Sequence, residues 1–488
     1  MRNPSLFLPG FHLQTLRRKP KTEKQKLQEK IEALKAKTLT QLGDFFKFFI
    51  PANVLSSEER GHWSRHRLFN KENTFWAFFS QTLDADGGCK EVVRKVQAVA
   101  ALKSITLSSS TAAYCKARKK LTADELDEIF QFTTKNLSGN PTNGLLQNRR
   151  VIVVDGTGVS MPDTTENQEV WPQQTSQTPG CGFPQARICA CFSLHTGALL
   201  SYELGNKKNH ELPLLRKQYH VFQPNDIFLG DKGFCSYYDI SAFNDRHVDS
   251  VITLARRIPE TELTAIKVLG KDDLLIQWCK PKKNKRLSYN EEAWLSLPDK
   301  LILRQIKVTV NQPGFRVESF YIVTTLLDPI VYPAHEISEL YLQRWDVELF
   351  FRDIKTTMGM DILRCKTPAM IEKEILMHFI AYNCIRRLIA EAADKHQAPV
   401  GRLSFKASMQ AFRQWEPHVN NMKVSNKEIK QLLSSLHDSI ANTIVPDRSG
   451  RNEPRCVKRR PKPYQLLTAP RHEMKEIKHR SKYRAKAA

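Results

Sequence analysis

The stretch RVIVVDG, residues 150–156, decides the fold class that the sequence predicts. Its apolar, mostly β-branched residues run without interruption up to Asp155 and Gly156, which is typical of a strand buried on both faces of a sheet. A second run of this kind, NDIFLGDKGF at residues 225–234, contains Asp231 directly after its apolar part. If the two strands are neighbours, their aspartates lie together at the rim of the sheet.

The segments around these two strands predict a mixed sheet flanked by helices. Residues 186–205 form two further apolar runs joined at His195-Thr196-Gly197, which indicates a hairpin that continues the sheet. A helix is predicted at residues 210–220, a second at 237–246 and a further strand at 249–257. The predicted order is three strands, helix, strand, helix, strand, which builds an α/β domain.

Residues 259–325 interrupt this alternation. They contain three strand-like runs, LLIQWCK, LILRQIKVTV and FRVESFYIVTTL, with turn signals at Gly270-Lys271-Asp272 and Gln312-Pro313-Gly314. The pattern predicts a β-rich insertion in the α/β domain. Helical periodicity then resumes at residues 335–358, 368–394 and 424–437.

The first 150 residues are predicted to be helical, with almost no strand pattern. The stretch 90–102 has valines on one helical face, and after a short break the serines at 108–110 can cap a second helix. That second helix carries Lys116, Arg118, Lys119 and Lys120. A helix-turn-helix DNA reader needs such a basic second helix to contact phosphates and base edges. Two packed helices with a basic outer face would give the same pattern, so both interpretations stay open.

The chain of 488 residues has a net charge of +24, and much of the excess lies at its two ends. Residues 1–40 hold ten Lys and Arg against three Glu, and residues 447–488 hold fourteen against four acids. A strongly basic chain most often binds a polyanion such as nucleic acid. The 41% hydrophobic fraction excludes a disordered chain, and no apolar run reaches the roughly 20 residues that a membrane span needs.

The N-terminus and the cysteines favour a cytoplasmic protein. Pro9 interrupts the N-terminal apolar stretch, and no small-residue cleavage pattern precedes Arg17, so no signal peptide is predicted. The ten cysteines are scattered without a CxxC pair. Cys189 and Cys191 are close in sequence, but no second pair completes a zinc site. We therefore expect reduced thiols.

Asp155 and Asp231 are candidate ligands of a divalent cation. Each follows an apolar strand and is itself followed within two residues by glycine. Mg²⁺ and Mn²⁺ take a few carboxylate oxygens and keep positions open for water and phosphate. Taken singly, either aspartate is explained as well by a turn or a helix cap. The metal hypothesis therefore depends on the pair.

A third acid, Glu348, lies in YLQRWDVELFFRDIK, residues 341–355. On an α-helix that turns about 100° per residue, Tyr341, Arg344, Glu348 and Lys355 fall within an arc of about 60°. An i, i+4 surface ion pair would explain Arg344 and Glu348. It would not explain why Tyr341 and Lys355 lie on the same side of the helix.

An apolar stripe is predicted beside this polar arc. It consists of Leu342, Trp345 and Leu349, and we expect it to fix the helix against the sheet.

Together these motifs resemble the DDE transposases of bacterial insertion sequences, in the subgroup named for its Tyr-Arg-Glu-Lys signature. The signature is Tyr341-x2-Arg344-x3-Glu348-x6-Lys355, and the two upstream acids are Asp155 in DGT and Asp231 in GDKGF. Further similar stretches are TAAYCKAR, SMPDT, GCGFPQAR and VKRRPKPYQLL, so the resemblance covers most of residues 105–470. Lys232 stands where related sequences often carry Arg, and residues 1–50 match no stretch that we can specify.

The resemblance implies a ribonuclease H-like core with a β-insertion before the helix that bears Glu348. In such a core Asp155, Asp231 and Glu348 would be the catalytic residues and would hold two Mg²⁺ ions, for which Mn²⁺ can substitute. Tyr341, Arg344 and Lys355 would bind DNA. The implied partners are transposon-end and target double-stranded DNA. A homodimer is expected in the DNA complex because two ends must be brought together. The protein would be bacterial, cytoplasmic and associated with the nucleoid, with no membrane partner.

The predicted function is cut-and-paste transposition, in which transposon ends are cleaved and the freed 3′-OH is joined to target DNA. One alternative is a ribonuclease H-like nuclease without strand transfer. Another is a non-catalytic DNA-binding derivative, which the presence of all three acids disfavours.

Six parts make up the predicted domain organisation. They are a helical N-terminal DNA-binding region (1–148), the first part of the ribonuclease H-like core (149–258), the β-rich insertion (259–325), the second part of the core with the Glu-bearing helix and the following helix (326–395), a helical C-terminal region (396–446) and a basic tail (447–488).

Overall fold

The computed structural model describes residues 22–23, 25–26, 46, 50, 52–56, 61–63, 67–101, 106–135, 137, 145–206, 210–255, 258, 262–282, 291–310, 319–421, 426–446 and 467–474. The chain divides into two compact units, Met1–Thr122 with Arg413–Leu433, and Ala123–Phe412 with Ser434–Ala488. Most of the two basic ends lies outside the described residues. Within the described ranges no helix is long and apolar enough to cross a membrane, and none of the nine cysteines found there forms a disulfide bond.

The first unit contains short helices packed around aromatic side chains. Its helices in the described residues are α1 (Ala52–Leu55), α2 (Lys71–Leu83), α3 (Cys89–Ala101) and α4 (Ala112–Lys120). Asn70 caps α2 by accepting a hydrogen bond from the Asn73 N–H at 2.8 Å, which satisfies one of the helix's free N-terminal donors. Phe75, Trp76 and Phe79 of α2 are at most 1% exposed and contact one another edge to face or stacked. Aromatic burial therefore holds this unit together.

Helices α3 and α4 lie where the helix-turn-helix hypothesis expects its two helices. Arg118 of α4, however, does not lie on a basic outer face. It is 9% exposed, its guanidinium lies 4.8 Å from the Phe78 ring centroid, and it donates a hydrogen bond to Gln81 at 3.1 Å. Lys116 and Lys119 are exposed. DNA binding by α4 stays a prediction, with Arg118 assigned to the interior.

A mixed sheet of nine strands, with helices on both faces, forms the second unit. The strands are β1 (Val151–Ser160), β2 (Gln185–Ser193), β3 (Leu199–Asn206), β4 (Ile227–Gly230), β5 (Asp249–Thr253), β6 (Leu263–Gly270), β7 (Asp273–Cys279), β8 (Lys300–Thr309) and β9 (Ser319–Thr324). The helices in the described part of this unit are α5 (Ala123–Lys135), α6 (Thr165–Val170), α7 (Glu211–Arg216), α8 (Tyr237–Asn244), α9 (Glu291–Leu295), α10 (Ala334–Leu342), α11 (Asp346–Arg352) and α12 (Pro368–His396). Two more, α13 (Phe405–Asn421) and α14 (Asn426–Ala441), contain residues of both units.

The strand order confirms the predicted ribonuclease H-like core. It is β3-β2-β1-β4-β5-β9-β8-β7-β6. Strand β2 is antiparallel to both of its neighbours, whereas β1, β4 and β5 are mutually parallel. Strand β9 then pairs antiparallel with β5, so the antiparallel strands β6 to β9 continue the same sheet. Strand β6 was not predicted, and most of its side chains are exposed.

The two faces of the sheet bury different helices. Ile152 and Val154 of β1 are fully buried and share one apolar core with Leu215 of α7 and Phe243 of α8. On the opposite face, Phe192 of β2 lies 5.2 Å from the Phe351 ring of α11, between ring centroids. Each fully buried side chain of this size contributes about 1.5–3 kcal/mol. Burial on both faces explains why the β1 sequence is continuously apolar up to Asp155.

Candidate active site

The sequence predicted Asp155 at the end of its strand. In the structure, Asp155 lies in the middle of β1. Strand β1 pairs with β4 only as far as Val153 opposite Leu229, but its pairing with β2 continues to Ser160. Beyond Asp155, β1 therefore pairs with β2 and no longer with β4. Because side chains alternate along a strand, Asp155 points away from the face of Ile152 and Val154 and toward the face that packs against α11.

Asp231 follows the last residue of β4 and lies level with Asp155. Val153 and Leu229 are partners, and each precedes its aspartate by two residues, on strands that are about 4.8 Å apart. The Asp231 Oδ1 accepts the Gly233 N–H at 2.7 Å and so begins a 3₁₀ turn. The predicted neighbouring position of the two acids is thus confirmed. We call Asp155 and Asp231 the acidic fork, because they lie where β1 and β4 stop pairing.

Burial and neighbouring acids raise the pKa of Asp155 in the acidic fork. Burial is the main cause that raises the pKa of Asp155 to about 6. The Gly156 N–H, which donates to its Oδ1 at 2.7 Å, lowers this pKa, and so does the positive charge of Arg344. The negative charges of Asp231 and Glu211 raise it. A cation bound here would remove that repulsion.

Tyr341 and Arg344 are buried beside the fork. Arg344 is 7% exposed, its guanidinium lies 4.5 Å from the Trp345 ring centroid, and its Nε has no hydrogen-bond partner in the described part of the chain. The Tyr341 hydroxyl is in contact with the hydroxyl of Thr253 on β5. Burial raises the pKa of Tyr341, against the lowering effect of Arg344 and Thr253. Both side chains are therefore held at the carboxyl ends of the parallel strands.

Lys355 reaches β1 from the helical side. Its Nζ lies 3.1 Å from the Oγ1 of Thr157, two residues after Asp155 and on the same face of the strand. The structure therefore brings Asp155, Asp231, Tyr341, Arg344 and Lys355 into one region.

The sequence analysis assumed that the segment with the Tyr-Arg-Glu-Lys signature is one regular α-helix. In the structure it is not. Helix α10 ends at Leu342, a 3₁₀ turn spans Gln343–Trp345, α11 follows, and a π-helical turn spans Asp353–Thr357. The rotation per residue differs between these forms, so positions 341 to 355 do not follow a constant 100° step.

The predicted apolar stripe is wrong. Trp345 and Leu349 are 47% and 44% exposed. Val347, Phe350 and Phe351 are buried in their place and fix α11 against the sheet.

Glu348 lies on α11 with its side chain exposed. In the part of the chain that the structure describes, no three His, Cys, Asp or Glu side chains are close enough together to hold a metal ion. The structure therefore brings the two aspartates together and leaves Glu348 on the adjacent helix.

Sequence reasoning missed one acid at this site, Glu211. It is the first residue of α7, directly after β3, and its carboxylate lies against the backbone of β1 at Gly156. Its Oε1 lies 3.8 Å from Arg187 Nη1. Burial raises the pKa of Glu211, Arg187 lowers it and Asp231 raises it. The only sequence signal is an acid in the first turn of a helix, which ordinarily indicates interaction with the helix dipole.

The donor set fits a hard divalent cation. The fork provides carboxylate oxygens, which Mg²⁺ and Mn²⁺ prefer.

The fold and this site define a class of protein. Residues 146–384 match the family described as Transposase DDE domain. Together with the relative below, this match supports a DDE transposase of a bacterial insertion sequence. These similarities support a DNA transposase.

A curated relative is Transposase InsG for insertion sequence element IS4 from Escherichia coli (strain K12). It is 26% identical over 439 residues, which cover 89% of this chain and 94% of the relative. Among solved structures, a cryo-EM structure of piggyBac transposase in a synaptic complex with hairpin DNA is similar at 11% identity with a TM-score of 0.37, covering 84% of this chain and 86% of that one.

Proposed function

We propose that this transposase cleaves the ends of its transposon and joins the freed 3′-OH to target DNA, with Asp155, Asp231 and Glu348 as its metal-binding catalytic residues. The acidic fork carries the proposal, because its two carboxylates are level on neighbouring parallel strands. Two divalent cations bound by these acids would activate the attacking oxygen and stabilise charge on the phosphate and on the leaving oxygen.

The cationic side chains of the signature bind the DNA strand near the scissile phosphate. Arg344 can donate its unpartnered Nε to a phosphate oxygen, and its burial against Trp345 fixes the direction of that donor. Lys355, held beside Thr157, adds a positive charge next to Asp155. The Tyr341 hydroxyl lies at the same rim and completes the phosphate contacts.

One site serves both reactions because each is an in-line displacement at phosphorus. In cleavage, water forms a new P–O bond, loses a proton and displaces the 3′ oxygen. In joining, that 3′-OH forms the new bond and displaces an oxygen of the target strand. Two copies of the chain act together in the DNA complex, since two transposon ends are joined to one target.

The test is Glu348→Gln, which keeps the size of the side chain and removes its charge. We expect strand cleavage in Mg²⁺ to fall at least about 100-fold, in keeping with the cost of losing a group that stabilises the transition state. DNA affinity without metal should be unchanged. Glu339→Gln, an exposed glutamate of α10, is the matched control and should cleave normally. Full cleavage by the Glu348 variant would refute the assignment.

Strand transfer is tested separately with pre-cleaved ends and a supercoiled target. We expect joined products in Mg²⁺ and Mn²⁺. Cleavage of intact ends without any joined product would instead identify a nuclease of the same fold.

A further inference from the structure

We propose that Thr157 and Thr253 are positioning residues of this active site, whose hydroxyls hold Lys355 and Tyr341 in place to bind a DNA phosphate. This inference rests on the proposed function, which assigns Lys355 and Tyr341 to phosphate binding. Neither threonine belongs to the Tyr-Arg-Glu-Lys signature, and the two lie on different strands, β1 and β5.

The sheet places both threonines at fixed spacings from the acidic fork. In the register of β4 with β5, Thr253 is level with Asp231, one strand or about 4.8 Å away. Ile252 belongs to the apolar core on the opposite face, so Thr253 points toward the face of the signature segment. Thr157 follows Asp155 by two residues on the same face of β1, a rise of about 6.6 Å along the strand.

The Thr157 hydroxyl holds the Lys355 ammonium without neutralising it. The Lys355 Nζ donates to the Thr157 Oγ1 at 3.1 Å. A lysine has a flexible stem, so a partner that already fixes it lowers the entropy cost of a phosphate contact. A carboxylate partner would cancel the positive charge, whereas a neutral hydroxyl leaves it intact. The other two ammonium hydrogens can donate to a phosphate.

The Thr253 hydroxyl orients the hydroxyl of Tyr341. The two hydroxyls are in contact, and the Tyr341 ring packs against Phe320 of β9 with 5.2 Å between ring centroids. The ring contact fixes the side chain but not the direction of its O–H bond. When Thr253 donates to the Tyr341 oxygen, the tyrosine hydrogen is directed to another acceptor, such as a phosphate oxygen.

A purely structural explanation of these threonines accounts for their shape alone. A β-branched side chain suits a strand, and valine has the same shape as threonine. The hydroxyls need a separate reason, and each of them meets a side chain of the signature. Because that segment changes from α10 to a 3₁₀ turn, α11 and a π-helical turn, contacts with the sheet are needed to fix Tyr341 and Lys355 relative to the acids.

The experiment measures single-turnover cleavage of a transposon-end duplex in Mg²⁺ by the full-length protein. We expect Thr157→Val to slow cleavage about tenfold, in keeping with the loss of a hydrogen bond to a charged group. Thr157→Ser keeps the hydroxyl and should stay within about twofold of the unmodified protein. Thr264→Val, at an exposed position of β6, is the matched control and should cleave normally. Normal cleavage by Thr157→Val would overturn the role of Thr157.

The same pair of substitutions tests Thr253. We expect Thr253→Val to slow cleavage about fivefold, less than Thr157→Val because both partners of this contact are neutral. Thr253→Ser should restore the rate. Slow cleavage by the serine variant as well as the valine variant would show that the hydroxyl is not the group that matters.

Double variants distinguish positioning from a merely structural role. If Thr157 acts through Lys355, Thr157→Val adds nothing to the loss caused by Lys355→Ala, whereas an independent effect would multiply with it. Thr253→Val and Tyr341→Phe form the corresponding pair. Multiplying effects would overturn the inference. If a valine variant does not fold, the alanine variant at the same position takes its place in the comparison.

The single variants Lys355→Ala and Tyr341→Phe keep this inference distinct from the proposed function. If they lose cleavage while the two valine variants keep it, only the positioning roles are wrong. If they cleave normally, the proposed phosphate contacts are wrong, and the positioning roles are wrong with them.

Discussion

Asp353 and Arg386 form a buried ion pair next to the turn that carries Lys355. Their side chains are 10% and 5% exposed, and Arg386 Nη2 lies 2.9 Å from the Asp353 Oδ2. Burial raises the pKa of Asp353 despite the opposing charges of Arg386 and Arg352. Desolvation is therefore the larger effect, as is common for buried ion pairs. Such a pair matters chiefly through the charge that is left behind when one partner is removed.

Asp353→Ala should lower the free energy of unfolding by about 3–5 kcal/mol, because Arg386 stays buried without its countercharge. Chemical denaturation measures the loss. The double variant Asp353→Leu with Arg386→Met removes both charges and should recover most of the stability. A loss below about 1 kcal/mol in the single variant would show that Tyr382 and Phe350, which also contact Arg386, are sufficient partners.

At the scale of elements, α12 joins the sheet to the residues that follow the signature segment. Its Asn383 side chain accepts from the Leu199 N–H at 3.0 Å and donates to the Leu199 oxygen at 2.9 Å, which joins the helix to β3. Its Glu374 accepts from the N–H groups of Arg364 and Cys365, between 2.9 and 3.1 Å, directly after the signature segment. Fixed polar contacts therefore support the irregular helix that bears Glu348 and Lys355.

The same helix gives the protein a predictable pH dependence. His378 of α12 is buried, and its Nδ1 donates to the Glu374 carbonyl oxygen at 2.8 Å. Burial is the main cause that lowers its pKa. The unfolded chain therefore binds a proton near pH 6.5 that the folded protein does not yet bind, so His378 costs stability as the pH falls below about 6.5.

Between pH 7.5 and 5.5, we expect the free energy of unfolding of the His378→Gln variant to fall by about 1 kcal/mol less than that of the unmodified protein. Free energies of unfolding at the two pH values measure this difference. His335→Gln, at an exposed position of α10, serves as the control and should leave the dependence unchanged. An unaltered slope in the His378 variant would mean that this imidazole binds its proton equally in both states.

At the scale of the whole molecule, charge and chemistry lie in different parts of the chain. The acids of the proposed site lie on a sheet whose core is apolar. The basic excess lies largely in residues 1–40 and 447–488. Acidic side chains at the site can bind cations, and basic side chains at the two ends can bind the phosphates of DNA. This separation would let basic ends bind a polyanion without neutralising the acids of the proposed site.

Deletion of residues 447–488 should weaken DNA binding and make it less dependent on salt. Each phosphate that is no longer neutralised reduces the slope of log affinity against log salt concentration by about 0.9. Fluorescence anisotropy with a transposon-end duplex at several salt concentrations gives the slope. Lys458→Gln with Arg459→Gln and Arg460→Gln should have a smaller effect of the same kind. An identical slope after the deletion would show that the tail does not contact DNA.

The sequence by itself determined the chain order of strands and helices in the α/β core, and the family resemblance implied that this core is ribonuclease H-like. Strands buried on both faces need continuous apolar runs, so the acids that end such runs are visible without a structure. The Tyr-Arg-Glu-Lys spacing likewise identified the family, although its geometry was predicted from a regular helix that the chain does not form.

Only the tertiary structure decided which groups meet at the site. Asp155 lies inside β1 because β2 continues to pair with the strand after β4 has ended. Trp345 is exposed because Val347, Phe350 and Phe351 face the sheet in its place. The Glu211 carboxylate lies against β1 at Gly156. Each of these depends on contacts between segments far apart in the chain, which local periodicity does not encode.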